Sequence, residues 1–153
     1  MTDVLRTRRL LLVPVTPADA RAVVSGPGVA AAGGWPPVDT VEGLRAALDH
    51  GGALGWFVTL DGVVVGDCGT HGEADGDLEI RYGIAPPCRG RGYATEVIGA
   101  LVAWALRTPG VERVVARRVR VENVASRRAL ERCGFTVDEV DHRYVDYVLG
   151  NSK

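Results

Sequence analysis

The stretch from Leu78 to Leu106 constrains the fold more than any other part of the chain. Leu78 to Ala85 reads as a strand, and Pro86-Pro87 ends it. Cys88-Arg-Gly-Arg-Gly-Tyr-Ala-Thr95 then leads into an apolar helix. Ala94, Val97, Ile98, Leu101, Val102 and Ala105 recur at helical spacing, which predicts one buried face on a helix from Tyr93 to Arg107. Pro109-Gly110 stops it. Val111 to Val121 reads as the next strand, with Val119 and Val121 alternating against Arg118 and Arg120. A strand–helix–strand unit of this kind is expected to cross over right-handed and to make its two strands parallel.

The flanking segments extend that unit. Arg9 to Val15 reads as a strand. Thr16 is placed to cap a helix running through Val24, with Asp19 three residues on. Gly26 to Asp39 is a long Gly/Pro-rich loop, a length that in a small domain signals function or mobility. Thr40 is placed to cap a second helix through His50. Leu54 to Leu60 and Val63 to Thr70 are strands joined at Asp61-Gly62, a strong hairpin signal. Asn123 to Cys133 is a short helix closed by Gly134. Phe135 to Val140 and Arg143 to Leu149 are the last strands. The order β-α-α-β-β-β-α-β-α-β-β predicts an α/β (α+β) mixed sheet with helices on its faces.

The 153 residues carry no internal repeat or linker and are read as a single domain, 1–153. A formal charge of −1 argues against a general nucleic-acid binder. The longest apolar stretch, Val97 to Leu106, is too short to cross a bilayer. Arg6, Arg8 and Arg9 lead into a strand rather than a secretory signal. Cys68, Cys88 and Cys133 lack CxxC spacing, so neither a disulfide framework nor a zinc knuckle is expected, and a cytoplasmic location is the default. His50, His71 and His142 do not have metal-ligand spacing, and no metal is expected.

The turn before the Tyr93 helix is a candidate anion site. Helix-start amides have no internal partner, and the helix dipole adds partial positive charge. Gly90 and Gly92 allow close approach of the main chain, while Arg89 and Arg91 add charge, so phosphate or pyrophosphate suits the turn. A dinucleotide fingerprint would need glycine where Thr95 stands, and a P-loop would need Gly-Lys-Ser/Thr. A plain strand-to-helix turn stays open at this point, as does nucleotide binding.

These residues resemble a known family. Arg89-Gly90-Arg91-Gly92-Tyr93-Ala94 matches the R/Q-x-x-G-x-G/A signature of the GNAT acyl-CoA N-acyltransferases. Leu78-Glu-Ile-Arg-Tyr-Gly-Ile84 is similar to that superfamily's fourth strand. Asn123-Val-Ala-Ser-Arg-Arg-Ala-Leu-Glu-Arg-Cys-Gly-Phe135 resembles the branch of the ribosomal-protein N-terminal (Rim) acetyltransferases, as does Thr7 to Asp19. The likeness spans nearly the whole chain. It implies a mostly antiparallel mixed sheet with one parallel, splayed pair, flanked by about four helices. It implies acetyl-CoA as donor and a primary amine, on a protein N-terminus or a small molecule, as acceptor. The amides of Arg89, Gly90, Arg91, Gly92, Tyr93, Ala94 and Thr95 would hold the pyrophosphate. The strand ending Tyr82, Gly83, Ile84 would splay from the Val111 strand and receive pantetheine, with Asn123 against the same arm. Two departures stand out. Many members carry Gly where this chain has Arg81. Leu130 stands where many carry a Tyr general acid, and the branch resemblance passes that role to Ser126.

Transfer to an amine needs a base, and Glu79 is the candidate, on the strand leading into the anion turn. Its side chain alternates with Ile80, so one of the two faces the cleft. A solvated strand carboxylate is the alternative. Asp67, Glu73, Asp75 and Asp77 make the region acidic, which would attract a cationic acceptor. Ser126 can instead serve as a cap or back-bond within its helix, and Asn123 as a plain N-cap. His71 is a candidate for lining the acceptor pocket and Trp35 for an acceptor lid, while Trp56 and Trp104 are assigned to packing. Arg127 and Arg128 either reach the CoA phosphates or are solvated helix charges. A CoA-binding sensor without turnover remains the alternative to an enzyme. Monomer and homodimer both stay open.

Overall fold

A computed structural model describes residues 3–150 of the chain. A two-residue strand, β1 (Leu5–Arg6), precedes β2 (Leu11–Pro14) and was not separable from it in the sequence. Thr16 caps α1 (Pro17–Ser25), its hydroxyl accepting the Asp19 amide at 3.1 Å. The second helix, α2 (Val38–His50), starts earlier than the Thr40 cap would have it. Thr40 therefore lies in its first turn, and its hydroxyl donates to Asp67 Oδ2 at 2.6 Å. β3 (Trp56–Leu60) and β4 (Val63–Gly72) meet at Asp61 and Gly62, whose φ values of 51° and 81° form the left-handed two-residue turn that suits strand twist. Then follow β5 (Asp77–Ile84), α3 (Tyr93–Leu106), β6 (Arg113–Arg120), α4 (Val124–Arg132), β7 (Thr136–Val140) and β8 (Tyr144–Gly150).

The strands form one eight-stranded sheet in the order β1-β2-β3-β4-β5-β6-β8-β7. Every pairing is antiparallel except β5 with β6, the parallel pair that the strand–helix–strand unit predicts. Two apolar clusters sandwich the sheet. One joins Val97, Ile98 and Leu101 of α3 and Leu130 of α4 to Leu12, Val58, Ile80 and Val114. The other joins Ala20 of α1 and Leu44 of α2 to Val15, Phe57 and Val64. Helices thus cover both faces, which lets neighbouring strand residues alternate between two separate interiors.

The parallel pair is short, and this shapes the site. β5 and β6 pair only at Asp77–Arg113, Leu78–Val114 and Glu79–Val115. Beyond Glu79, β5 keeps its partner β4 through Ile84 but has none on the other side. β6 breaks register against β8 between Ala116 and Val119, where Arg118 has φ 55°, and the two strands fork.

The Gly/Pro-rich loop corrects one expectation. It is docked along β4 by Ala32 N to Val64 O (2.8 Å) and Val64 N to Ala30 O (2.9 Å). Trp35 is only 9% exposed, packs edge-on against Phe57 at 5.3 Å, and donates its indole N–H to Asp67 Oδ2 at 3.1 Å. A lid needs an exposed side chain free to move; burial of a large aromatic and a satisfied indole make Trp35 part of the second apolar cluster instead.

Ion pairs clamp the closed end of the fork. Arg113 grips Asp77 through two hydrogen bonds of 2.9 and 2.8 Å. Arg117 holds Glu73 at 2.8 Å and reaches Asp77 at 3.5 Å and Asp146 at 3.6 Å. The hydrogen bond from Arg113 holds the Asp77 carboxyl below its usual range, and that from Arg117 does the same for Glu73. A carboxyl depressed in the folded state stabilises above its unfolded pKa and loses that contribution as pH falls through the folded one. Urea titrations should show stability dropping below about pH 4. Asp77→Asn should be less stable than the parent at neutral pH and show a flatter acid limb; an unchanged limb would exclude the clamp as its source.

Candidate active site

The fork opens a cleft of about 730 Å³, a size suited to a small-molecule or cofactor site. The unpaired edge of β5 at Tyr82, Gly83 and Ile84 forms its floor. The turn from Cys88 to Thr95 is one wall, and Asn123, Ser126, Arg128 and Arg132 line the other. Arg91 is the member of the expected turn that does not line it. Instead its carbonyl faces away and accepts from Arg9 Nη2 at 2.7 Å.

Gly90 and Gly92 both have left-handed φ, +77° and +81°, which other residues adopt only with strain. Gly92 caps α3, and no side chain fills that cap. The amides of Tyr93, Ala94 and Thr95 therefore have no intrahelical acceptor. Arg9, from the start of the chain, braces this turn. Its guanidinium lies 4.6 Å above the Tyr93 ring and pairs with Glu96, whose carboxylate also accepts from Thr7 Oγ1 at 2.6 Å. Burial pushes the Glu96 carboxyl up, but the bonds from Thr7 and Arg9 outweigh it and leave it lowered. The brace was missed in the sequence because its partners stand 87 and 89 positions apart.

Asn123 is an N-cap as well as a lining residue: its Oδ1 accepts the Ser126 amide at 3.2 Å. The Ser126 hydroxyl is 2.6 Å from the Tyr82 hydroxyl. Burial pushes the Tyr82 phenol up to about 12, against a smaller lowering by Ser126. Only the Tyr82 backbone was expected in the cleft; its side chain shares the period-two face of Leu78 and Ile80, a signal that pointed to the α3–α4 side. Arg89 folds its Nε onto Ile84 O at 2.9 Å. Arg127 is committed to Tyr147 Oη (3.1 Å) and Val121 O (3.0 Å), so Arg128 and Arg132 are the α4 cations facing the cleft.

Glu79 occupies the last paired position before the fork, on the face opposite Ile80 and Tyr82. His71 stands across from it on β4. Burial pushes the Glu79 carboxyl up, repulsion from Glu73 adds to this, and Arg117 and His71 oppose it. Neither Glu79 nor His71 lines the cleft itself; they lie on the other face of β5 and β4 at the point where the fork begins. A raised carboxyl has the character of a general base. Among the described residues no cluster of three or more His, Cys, Asp or Glu is arranged to hold a metal ion. Nor is any described helix long and apolar enough to cross a membrane.

An amide-bearing chain can pair with the open β5 edge while its phosphates meet the α3 amides, Arg128 and Arg132. A cleft of this kind in the fork of a sheet suits an acyl-CoA, and it points to the class of acyl-CoA-dependent transferases. The family follows directly: residues 9–136 match the acetyltransferase (GNAT) domain, and the chain belongs to that family of acetyl-CoA-dependent acyltransferases. It is 28% identical over 127 residues to the uncharacterized N-acetyltransferase YjdG of Bacillus subtilis (strain 168), covering 76% of this chain and 75% of that protein. An acetyltransferase from Agrobacterium tumefaciens str. C58 superposes with TM-score 0.67 at 27% identity, over 99% of this chain and 96% of the other. Mycobacterium smegmatis RimJ, solved in complex with a CoA-disulfide, gives TM-score 0.68 at 25% identity, over 97% and 87%.

Proposed function

We propose that the protein transfers the acetyl group of acetyl-CoA to a primary amine by direct attack within a ternary complex, and does so in the cytoplasm. The acceptor is a protein N-terminus or a small-molecule amine. One observation supports this above the others: the raised carboxyl of Glu79 and the Ser126–Tyr82 hydroxyl pair belong to opposite faces of β5 at one fork. Acetyl-CoA supplies the activated acyl carbon. On this reading the amides of Gly90 and of Gly92 to Thr95 hold its pyrophosphate; Arg91 lies off the cleft, and the Arg89 amide already donates to Pro86 O at 3.3 Å. The edge at Tyr82, Gly83 and Ile84, with Asn123, receives its pantetheine arm. Glu79 takes a proton from the acceptor ammonium, freeing the amine to attack; the acylated nitrogen gives its second proton to solvent. The new C–N bond forms as the C–S bond breaks, and the departing sulfur receives a proton or hydrogen bond from Ser126. Either hydroxyl of the Tyr82–Ser126 pair can donate; with Tyr82, kept protonated by burial, as the donor, the serine's own proton is free for the sulfur.

A screen of amines with acetyl-CoA, read as free thiol, tests the reaction. CoA binding with no thiol release from any amine would make the protein a CoA-binding module. Within an active enzyme, Ser126→Ala should lower kcat by roughly 10- to 100-fold, at the low end of general-acid effects, with acetyl-CoA affinity little changed. Full kcat in that variant, with chemistry rate-limiting, would leave Ser126 as a helix residue. Loss of CoA binding or of the fold would make its role structural.

A further inference from the structure

Arg81 stands where many members of the family have glycine, and the acyl-transfer chemistry makes no use of it. Its side chain shares the Glu79 face of β5, since Ile80 and Tyr82 between and beyond them pack toward α3 and α4. The guanidinium lies flat across β4 at Gly69: a Cβ on that residue would come within 2.8 Å of Nη2 and 3.0 Å of Cζ. The side chain is 55% exposed, and its ionic neighbour among the described residues is Asp67, 3.9 Å away. That separation is outside hydrogen-bond reach. Trp35 and Thr40 donate to Asp67 Oδ2, so Asp67 holds Arg81 only loosely, through Oδ1.

The other arginines near Glu79 are committed. Arg117 is shared by Glu73, Asp77 and Asp146, and Arg113 is bound by Asp77. Beside His71 and the buried Asp67, this face presents the Glu79 carboxylate and the exposed Arg81 guanidinium, on backbone positions two residues or about 6.6 Å apart. Glu79 can accept from an ammonium, and Arg81 can offer its planar fork of donors to a carboxylate. Resting on the acetyl-transfer reading of the same site, we infer that the acceptor carries a carboxylate a few bonds from its amine, held by Arg81 while Glu79 takes the amine. A free α-amino acid and a peptide whose first residue is Asp or Glu both present that chemistry.

The test compares matched acceptors with acetyl-CoA: the standard L-amino acids, their carboxamides, and peptides opening with Asp, Glu, Asn or Gln. Carboxylated acceptors should be favoured over their amides by about 10- to 100-fold in kcat/KM, the range for a hydrogen bond to a charged group. Arg81→Gln should abolish that preference through KM with kcat kept, and Gly69→Ala, which displaces the guanidinium without removing it, should weaken it. Preference confined to free amino acids or to acidic peptides identifies the source. Transfer to amines and amides without regard to the carboxylate overturns the inference and leaves the transferase reading intact. If no acceptor releases thiol, the transferase reading fails. Calorimetric titration of the same amino acids into CoA-loaded parent and Arg81→Gln protein then decides the role of Arg81. Equal or no binding in both overturns it.

Discussion

Gly92→Glu should erase the thermal stabilisation that acetyl-CoA confers. A ligand at a hundredfold excess over its dissociation constant stabilises the folded state by about 2.7 kcal/mol, or about 5–10 °C in a domain of this size. Gly92 is the N-cap of α3, beside the amides proposed to hold pyrophosphate, and glutamate there brings negative charge to the place phosphate would take. The substitution has a second effect. Gly92 has φ +81°, and a Cβ there would stand 3.2 Å from Arg9 Nη2, so any side chain strains the turn. Gly92→Ala carries the strain without the charge and is the control. It should melt lower than the parent yet keep most of the ligand-induced shift. A folded Gly92→Glu protein whose melting shift with acetyl-CoA matches the parent would refute the pyrophosphate assignment.

Glu79→Gln should separate activity from stability in opposite directions. Loss of the base should reduce kcat by about 10²-fold or more at neutral pH, with near-normal CoA binding and partial recovery at high pH, where free amine is abundant. Stability should move the other way. Burial raises the Glu79 pKa above its unfolded value, so the ionised group costs stability once pH exceeds that value. Glutamine removes the cost. The variant should therefore outlast the parent in urea at pH 7, and the two should converge below about pH 4. Parent-like activity across pH would make Glu79 a bystander.

Much of the fold was legible because its signals are local. Asp61-Gly62 announces its turn, Thr16 its helix start, and the glycines at 90 and 92 the entry to α3. The parallel pairing of β5 and β6 follows from the helix between them. What stayed hidden depends on contacts distant in sequence. Composition marks Gly26–Asp39 as a loop, yet its docking on β4 depends on where Phe57 and Asp67 come to lie, and nothing local to Trp35 signals that it is buried. Alternation says only that Glu79 and Ile80 face opposite ways; it takes the placement of α3 and α4 to show that Ile80 is the one beneath them. The length of the β5–β6 seam is likewise invisible in either strand. The Tyr82–Ser126 contact joins a strand to a helix across that gap, and neither residue alone signals the other.

Arg9 carries a consequence for how portable the glycine turn is. The turn's residues are contiguous, from Cys88 to Thr95, but the guanidinium that packs on Tyr93, binds the Arg91 carbonyl and pairs with Glu96 enters from Arg9, some eighty positions earlier. Closing a loop that long has an entropic cost, and here the closure is met by the whole first half of the sheet forming between β2 and β5. A fragment beginning after α2 would hold every residue of the motif and still lack its clasp. The same octapeptide grafted onto a foreign strand and helix would need a counterpart of Arg9 before its amides held this arrangement. The motif marks where an anion can sit; the N-terminal strand region makes the seat rigid.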